Sequence, residues 1–285
     1  MDEEKADLSE IKRRIQAALN GGANLDERGE LTYSALGATA PDSSPVSVTV
    51  KDDLARLKTG IPGLDDLITG GIPKGSVVLL SGGPGCGKTI LATQFLYNGV
   101  VKFGEPGLYI SFEEEPESIA KAASLFGWDL AKLDKESKLR IVFKDPYEIK
   151  DFAKSLAGEM YYMIQELGAK RIVFDSITYY GLTVDNQFQL RKNIADLAKR
   201  LRKMGVTTLL VSETPESQTE GARASVEQFV ADGVIQLHNF LINETRQRAI
   251  EIVKLRKTNH DTFLHPYKIT SKGIEVYPRE QVFKD

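Results

Sequence analysis

Apolar residues recur along this chain with two different periods, and the order in which those periods alternate predicts an architecture. Short apolar, β-branched runs at 76–81, 108–112, 139–143, 171–175 and 207–212 have the form of buried strands. Between them lie stretches with apolar residues at helical spacing: Ile90 to Leu96, Pro116 to Phe126, about Asp151 to Leu167, and about Gln187 to Met204. The last of these presents Leu190, Ile194, Leu197 and Leu201 on one face. Strand and helix in alternation imply a mainly parallel sheet with helices on both faces. From Gly233 the pattern changes to strands without helices. Val234 to Leu241 and Ala249 to Leu255 flank a turn at Asn243-Glu244, and Pro266 to Thr270 and Ile274 to Tyr277 flank Ser271-Lys272-Gly273. These predict antiparallel hairpins finishing one edge of an α/β sheet.

The first fifty residues do not share this pattern. Ile11, Ile15 and Leu19 repeat every four residues among charged neighbours, which predicts a short amphipathic helix from Leu8 to Leu19, ending near Gly21-Gly22. The segment from Asn24 to Asp53, with Pro41-Asp42-Ser43-Ser44-Pro45 at its middle, has the composition of a linker and no sustained period. The expected division is therefore an N-terminal helix and flexible linker over 1–53 and one α/β domain over 54–285. No internal repeat or low-complexity tract interrupts either part.

Composition narrows the class. At 285 residues the chain is long enough for a full core, and its formal net charge of −3 with a pI near 5.8 gives no global attraction to nucleic acid or anionic membrane. The single cysteine, Cys86, excludes a disulfide within one protomer. No apolar run approaches the ~18 residues that span a bilayer, and Met1-Asp2-Glu3-Glu4-Lys5 is too acidic for a signal peptide. A cytoplasmic protein without membrane insertion is expected.

The chemistry begins at Gly82-Gly83-Pro84-Gly85-Cys86-Gly87-Lys88-Thr89, which fits G-x-x-x-x-G-K-[ST] without a mismatch. A strand before it and a helix after it supply the context this loop needs. Glycines let the backbone turn its N–H groups around a phosphate, and the helix that starts there adds its positive dipole end. Gly83, Pro84, Gly85, Cys86, Gly87, Lys88, Thr89 and Ile90 are thus the expected cradle of ATP. Lys88 is expected to reach the β- and γ-phosphates, and Thr89 to give its hydroxyl to the accompanying Mg2+. Cys86 sits beside a helix N-terminus, where a thiol is either reactive or a filler in the variable part of the loop. The strand Arg171-Ile172-Val173-Phe174 ends in Asp175, the form expected of an acid behind the metal.

A second acidic group follows Tyr109-Ile110-Ser111-Phe112. Ligands of parallel sheets lie beyond the carboxyl ends of the strands, so Glu113 and Glu114 are expected beside the γ-phosphate, where a carboxylate orients or deprotonates the attacking water. The competing role is to cap the helix after Pro116, which Glu115 and Glu117 suit better.

These motifs resemble, in one order along the chain, those of the KaiC-like branch of RecA-fold ATPases. Besides the phosphate loop they include Thr59-Gly60-Ile61-Pro62-Gly63-Leu64-Asp65, Ser111-Phe112-Glu113-Glu114 and Phe126-Gly127-Trp128-Asp129-Leu130. Val173-Phe174-Asp175-Ser176, Val226-Glu227-Gln228-Phe229-Val230-Ala231-Asp232 and Lys254-Leu255-Arg256 with Thr258 and His260 complete the set. The resemblance runs from about Leu57 to Pro278. It implies a RecA-like P-loop NTPase in which ATP sits between neighbouring subunits of a ring, usually a hexamer. It further implies that Lys254 and Arg256 act in trans on the γ-phosphate, with Leu255, Thr258 and His260 near the base or ribose. Read from the residues alone, Lys254 and Arg256 alternate on a hairpin strand and are as well explained by solvation. His260 forms no metal-ligand spacing with His238 or His265.

Two departures limit the resemblance. Where the clock member carries an adjacent Ser-Thr pair that is phosphorylated, this chain has Gln228 and Phe229, so phosphocycling is not expected. Leu125 stands where the family can place a nucleotide-contacting serine. The expected function is a regulatory or signalling ring ATPase with an unidentified protein partner. Two alternatives differ in class. A recombinase-type nucleic-acid-binding ATPase would use loops at Thr178 to Gln187 and Pro215 to Ser225, which lack the accumulated Lys and Arg that phosphate backbones require. An ATP-dependent assembly scaffold of archaellum-motor type would hydrolyse little.

Overall fold

A computed structural model describes residues 23–25, 31–33, 54–147, 152–184, 186–213, 230–242 and 244–282. The chain divides into two units, Met1–Asp52 and Asp53–Asp285. In the first, strand β1 (Ala23–Leu25) pairs antiparallel with β2 (Leu31–Tyr33), within a stretch expected to carry no regular element. The helix expected at 8–19 lies outside the described residues.

The second unit opens with β3 (Arg56–Leu57), a one-turn helix α1 (Leu64–Leu67) and β4 (Ile72–Pro73), which pairs back on β3. The alternating part follows: β5 (Val77–Gly82), α2 (Lys88–Phe103), β6 (Gly107–Ser111), α3 (Pro116–Ser124), α4 (Leu130–Lys135) and β7 (Leu139–Phe143). It continues through α5 (Phe152–Leu167), β8 (Arg171–Asp175), α6 (Ile177–Gly181), α7 (Gln187–Met204) and β9 (Thr207–Glu213). The chain closes with β10 (Gly233–Ile242), β11 (Thr245–Leu255), β12 (His265–Thr270) and β13 (Gly273–Val276).

Nine of the described strands form one sheet in the order β13-β12-β11-β10-β5-β9-β8-β6-β7, while β1 with β2 and β3 with β4 make separate pairs. From β10 to β7 every pairing is parallel, and β11, β12 and β13 extend the other side antiparallel. This is the α/β fold that the hydrophobic pattern predicts. β5 lies at the centre with every residue buried, which is why it reads as an uninterrupted apolar run. Each fully buried Val or Leu there contributes about 1.5–3 kcal/mol relative to exposure.

Alternate residues of the strands feed two cores. Val78, Leu80, Tyr109 and Val173 pack with Leu91 and Phe95 of α2, whereas Val77, Leu79, Ile110 and Phe174 pack with Ile194 and Leu197 of α7. Side-chain caps define helix starts: Asp129 accepts from Lys132 N–H, Ser176 from Tyr179 N–H, and Asn186 from Phe188 N–H. Gly104 and Gly205 adopt left-handed backbone just past α2 and α7.

Elements of four to six residues escape the periodic reading, and α1, α4 and α6 are of this kind. α6 also corrects the expectation of an irregular loop from Thr178 to Gln187, since helix continues to Gly181. The second candidate loop, Pro215 to Ser225, lies outside the described residues. Among the described residues no helix is long and apolar enough to cross a membrane.

Candidate active site

Parallel strands bring their carboxyl ends to one side of the sheet, and the phosphate loop leaves β5 there. A Cβ on Gly82 would stand 2.5 Å from the Leu237 carbonyl oxygen and 2.7 Å from Cys86 Sγ, so this turn has no room for a side chain. Gly85 and Gly87 take φ of 72° and 90°, which turns the loop directly into α2. Lys88 is the first residue of that helix. Its side chain is buried, and Nζ donates to Gly83 O at 3.1 Å and to Glu213 Oε1 at 3.5 Å. The loop also has support from the hairpins: Tyr267 OH donates to Cys86 O, and Arg248 Nη2 to Gly85 O at 3.4 Å. Cys86 itself is buried, and burial raises its thiol pKa against the opposing charge of Lys88, an environment that suits packing better than nucleophilic attack.

Asp175 ends β8 and is buried. Its Oδ2 accepts from Thr89 Oγ1 at 2.9 Å and from Tyr109 OH at 2.5 Å. Burial raises its pKa, while the two hydroxyl donors and Lys88 work in the opposite direction. The Thr89 hydroxyl and the Asp175 carboxylate are hard oxygen donors held together, a set that fits magnesium arriving with phosphate oxygens and water. Among the described residues no cluster of three or more His, Cys, Asp or Glu could hold a metal by itself.

The two glutamates after β6 diverge. Glu113 accepts from Ser176 Oγ at 3.0 Å, and its carboxyl is raised by partial burial and by the charges of Asp175 and Glu213; Ser176 and Lys88 oppose the rise. Glu114 accepts from Ser118 Oγ in the first turn of α3 at 2.7 Å, while also lining a small cavity with Thr89, Ile90, Phe126 and Trp128. Glu115 occupies the N-cap position of α3, without a side-chain cap bond, and Glu117 lies in its first turn, the places expected of acids at a helix N-terminus.

Lys254, Leu255 and Arg256 lie elsewhere. Leu255 is level with Gly233 and, across it, with Val78 near the start of β5, whereas the phosphate loop begins after Gly82. At ~3.3 Å per residue about 13 Å of strand separate the two levels, before the loop itself is counted. Arg256 Nη1 is 3.6 Å from Asp232 Oδ1, and Asp232 Oδ2 also accepts from Arg202 Nε at 2.7 Å and from Val77 N–H at 3.0 Å. Lys254 Nζ donates to Ala231 O at 2.7 Å, and its pKa is lowered by burial and by the neighbouring Arg256. Leu255 is buried; Thr258 Oγ1 accepts from Arg56 Nη1 at 2.9 Å, and His260 Nδ1 is 2.7 Å from Asp261 O. Arg256, Lys257, Arg202, Lys74 and Asp232 line an open cleft of about 660 Å³ at this end of the sheet. The sequence-expected residues thus fall into two groups, one at each end of the strands.

Glu213 went unassigned in the sequence, although it carries the signal that singled out Asp175, an acid ending an apolar strand. Asp232 gave no such signal, because its partners Arg202 and Arg256 are distant in the chain. Ser176 was visible only as the residue after Asp175.

A phosphate loop between the central strand and a helix, an acid on the strand beyond its neighbour, and antiparallel strands closing one side define a RecA-fold P-loop protein. A family model described as the KaiC ATPase matches residues 57–281, and the chain belongs to that family. It is 40% identical over 246 residues to the circadian clock oscillator protein KaiC of Synechococcus elongatus, covering 84% of this chain and 47% of that one. The KaiC of Thermosynechococcus vestitus is 40% identical over 232 residues, 79% of this chain and 45% of that one. The chain therefore spans about half the length of these curated relatives. A crystal structure of a KaiC-like protein from the archaeon Pyrococcus horikoshii OT3 superposes with a TM-score of 0.71 at 38% identity, covering 79% of this chain and all of that one.

Proposed function

We propose that this protein binds ATP with Mg2+ and hydrolyses it at interfaces between copies of itself, in a ring that is hexameric by resemblance to its family and serves a regulatory partner. The observation that carries this reading is the separation of the two groups. Lys254 and Arg256 stand at the amino end of the strands whose carboxyl ends hold the phosphate loop, so one protomer does not bring them to its own nucleotide. A neighbour turned head to tail does. An interface of that heterologous kind closes into a ring when the rotation between neighbours completes a full turn.

Within the site, the loop backbone and Lys88 bind the phosphates, and Thr89 and Asp175 would hold magnesium, whose charge offsets that of the phosphate oxygens. Glu113 orients the attacking water. Its raised pKa makes it a better proton acceptor than an exposed glutamate. Arg256 and Lys254 of the adjacent copy stabilise the charge that develops on the transferred phosphoryl group. Residues 1–53 are an appendage to the ring-forming domain. The test is mass in solution with and without ATP and magnesium, with released phosphate assayed on the same sample. Nucleotide-dependent assembly together with turnover is expected; turnover by a stable monomer would refute the shared site.

A further inference from the structure

We propose that Tyr109 is a positioning residue for the metal: its hydroxyl fixes the Asp175 carboxylate against Thr89, setting how tightly the nucleotide-bound site holds magnesium. The inference rests on the reading of this site as one for a metal–nucleotide complex.

Tyr109 lies in β6 beside β8, in register with Val173, two residues short of the strand end where Ser111 pairs with Asp175. Its ring is 1% exposed and belongs to the core that packs against α2. A phenylalanine there would supply the same apolar contacts, as Phe112 and Phe174 do in the opposite core. The hydroxyl is therefore the part that packing leaves unexplained. A buried phenol requires a partner, and this one donates to Asp175 Oδ2, the same oxygen that accepts from Thr89 Oγ1. With two donors on Oδ2, the carboxylate is held in one rotation, and Oδ1 is left for a metal-bound water. Thr93 Oγ1, one turn further along α2, donates to Thr89 O at 2.7 Å and ties down the same turn.

Supports of this kind typically affect metal affinity about 10- to 100-fold. The test is titration of Mn2+ into the protein–ADP complex, with free Mn2+ read by electron paramagnetic resonance and ADP affinity measured separately without metal. Tyr109→Phe should weaken Mn2+ binding about tenfold and leave metal-free ADP affinity unchanged. Asp175→Asn should weaken Mn2+ binding as well, and adding Tyr109→Phe to it should cost nothing further, because the tyrosine acts through the aspartate. Wild-type Mn2+ affinity in Tyr109→Phe would overturn the proposal. So would a loss of metal-free ADP binding in that variant, which marks a general structural role, or an undiminished effect in the Asp175→Asn background. A wild-type protein that binds ADP no differently with Mn2+ would instead refute the reading of the site itself.

Discussion

The two ends of the central strands are built from opposite chemistry. At the carboxyl end, a glycine-rich turn presents backbone around Lys88, and the acids Glu113, Asp175 and Glu213 converge on it. At the amino end, Lys74, Arg202, Arg256 and Lys257 surround Asp232 in an open cleft, with Lys254 beside them. One end can seat a phosphate and aim a water but supplies little positive charge; the other has surplus cations and no seat. In the proposed reading these two ends are half-sites, complementary in charge, which a head-to-tail neighbour would join. Each end has a partly or wholly buried acid that holds its neighbours in place: Asp175 through Oδ2, which accepts from Thr89 and Tyr109, and Asp232 through both oxygens, which face Arg202, Arg256 and Val77 N–H.

The comparison can be broken most severely at the carboxyl end. Lys88→Ala should abolish tight ATP binding while leaving the fold intact, because the lysine has a phosphate as its intended partner and meets only Gly83 O and Glu213 in its absence. Calorimetry showing wild-type affinity would remove the phosphate-loop assignment. Glu113→Gln should keep ATP bound but slow hydrolysis at least ~100-fold, the scale of losing a positioned base. Glu114→Gln should slow it much less, since its carboxylate is engaged by Ser118 in the first turn of α3. Equal losses of kcat in the two variants would mean that the glutamates act as one unit.

At the amino end the expected effects are smaller. Asp232→Asn retains an acceptor for Val77 N–H but removes the charge that holds Arg202 and Arg256. Turnover should fall about tenfold as Arg256 loses its orientation, in the manner of lost ligand supports, with ATP affinity at the loop little changed. If Asp232 acts only through the arginine, adding Asp232→Asn to Arg256→Ala should cost nothing beyond Arg256→Ala alone; larger damage in the double variant than in Arg256→Ala would show a second role.

The smallest effect is on pH. Glu113 has a raised pKa, and it must be ionised to accept a proton, so kcat should decline on acidification through a midpoint above the ordinary glutamate value of 4.5. The sign for stability is the reverse. Because the folded carboxyls of Glu113 and Asp175 bind protons more tightly than the unfolded ones, their contribution favours the nucleotide-free fold below the unfolded pKa. That contribution is lost as pH rises through the folded pKa. Thermal unfolding of the nucleotide-free protein across that window, compared with Asp175→Asn, reads this term.

Much of this was legible in the sequence because the information was local. Val77 to Thr89 contains a strand, a loop and a helix start within one stretch, and Asp175 announces itself by ending an apolar run. Most long elements obeyed their periods to within a residue or two, since a buried strand or an amphipathic helix must repeat its apolar face; α2 runs seven residues past Leu96, and β11 starts four before Ala249. What escaped depended on contacts between distant residues: Asp232 with Arg202 and Arg256, Tyr109 with Asp175, and the turning of Glu113 toward Ser176 while its neighbour meets Ser118. Elements too short to complete a period, such as α4 and α6, escaped for a simpler reason. No local pattern distinguishes six helical residues from a turn.

The shared site is tested most directly by mixing two defective proteins. Arg256→Ala lacks the amino-end cation, whose trans action on a phosphoryl group can contribute ~10³-fold or more; Glu113→Gln lacks the carboxyl-end base. Each alone should be nearly inactive. Co-assembled, with subunit exchange verified, some interfaces would combine an intact arginine with an intact glutamate, and hydrolysis should rise well above that of either parent. A mixture no more active than its parents would contradict the account by showing that both residues serve the nucleotide of their own protomer.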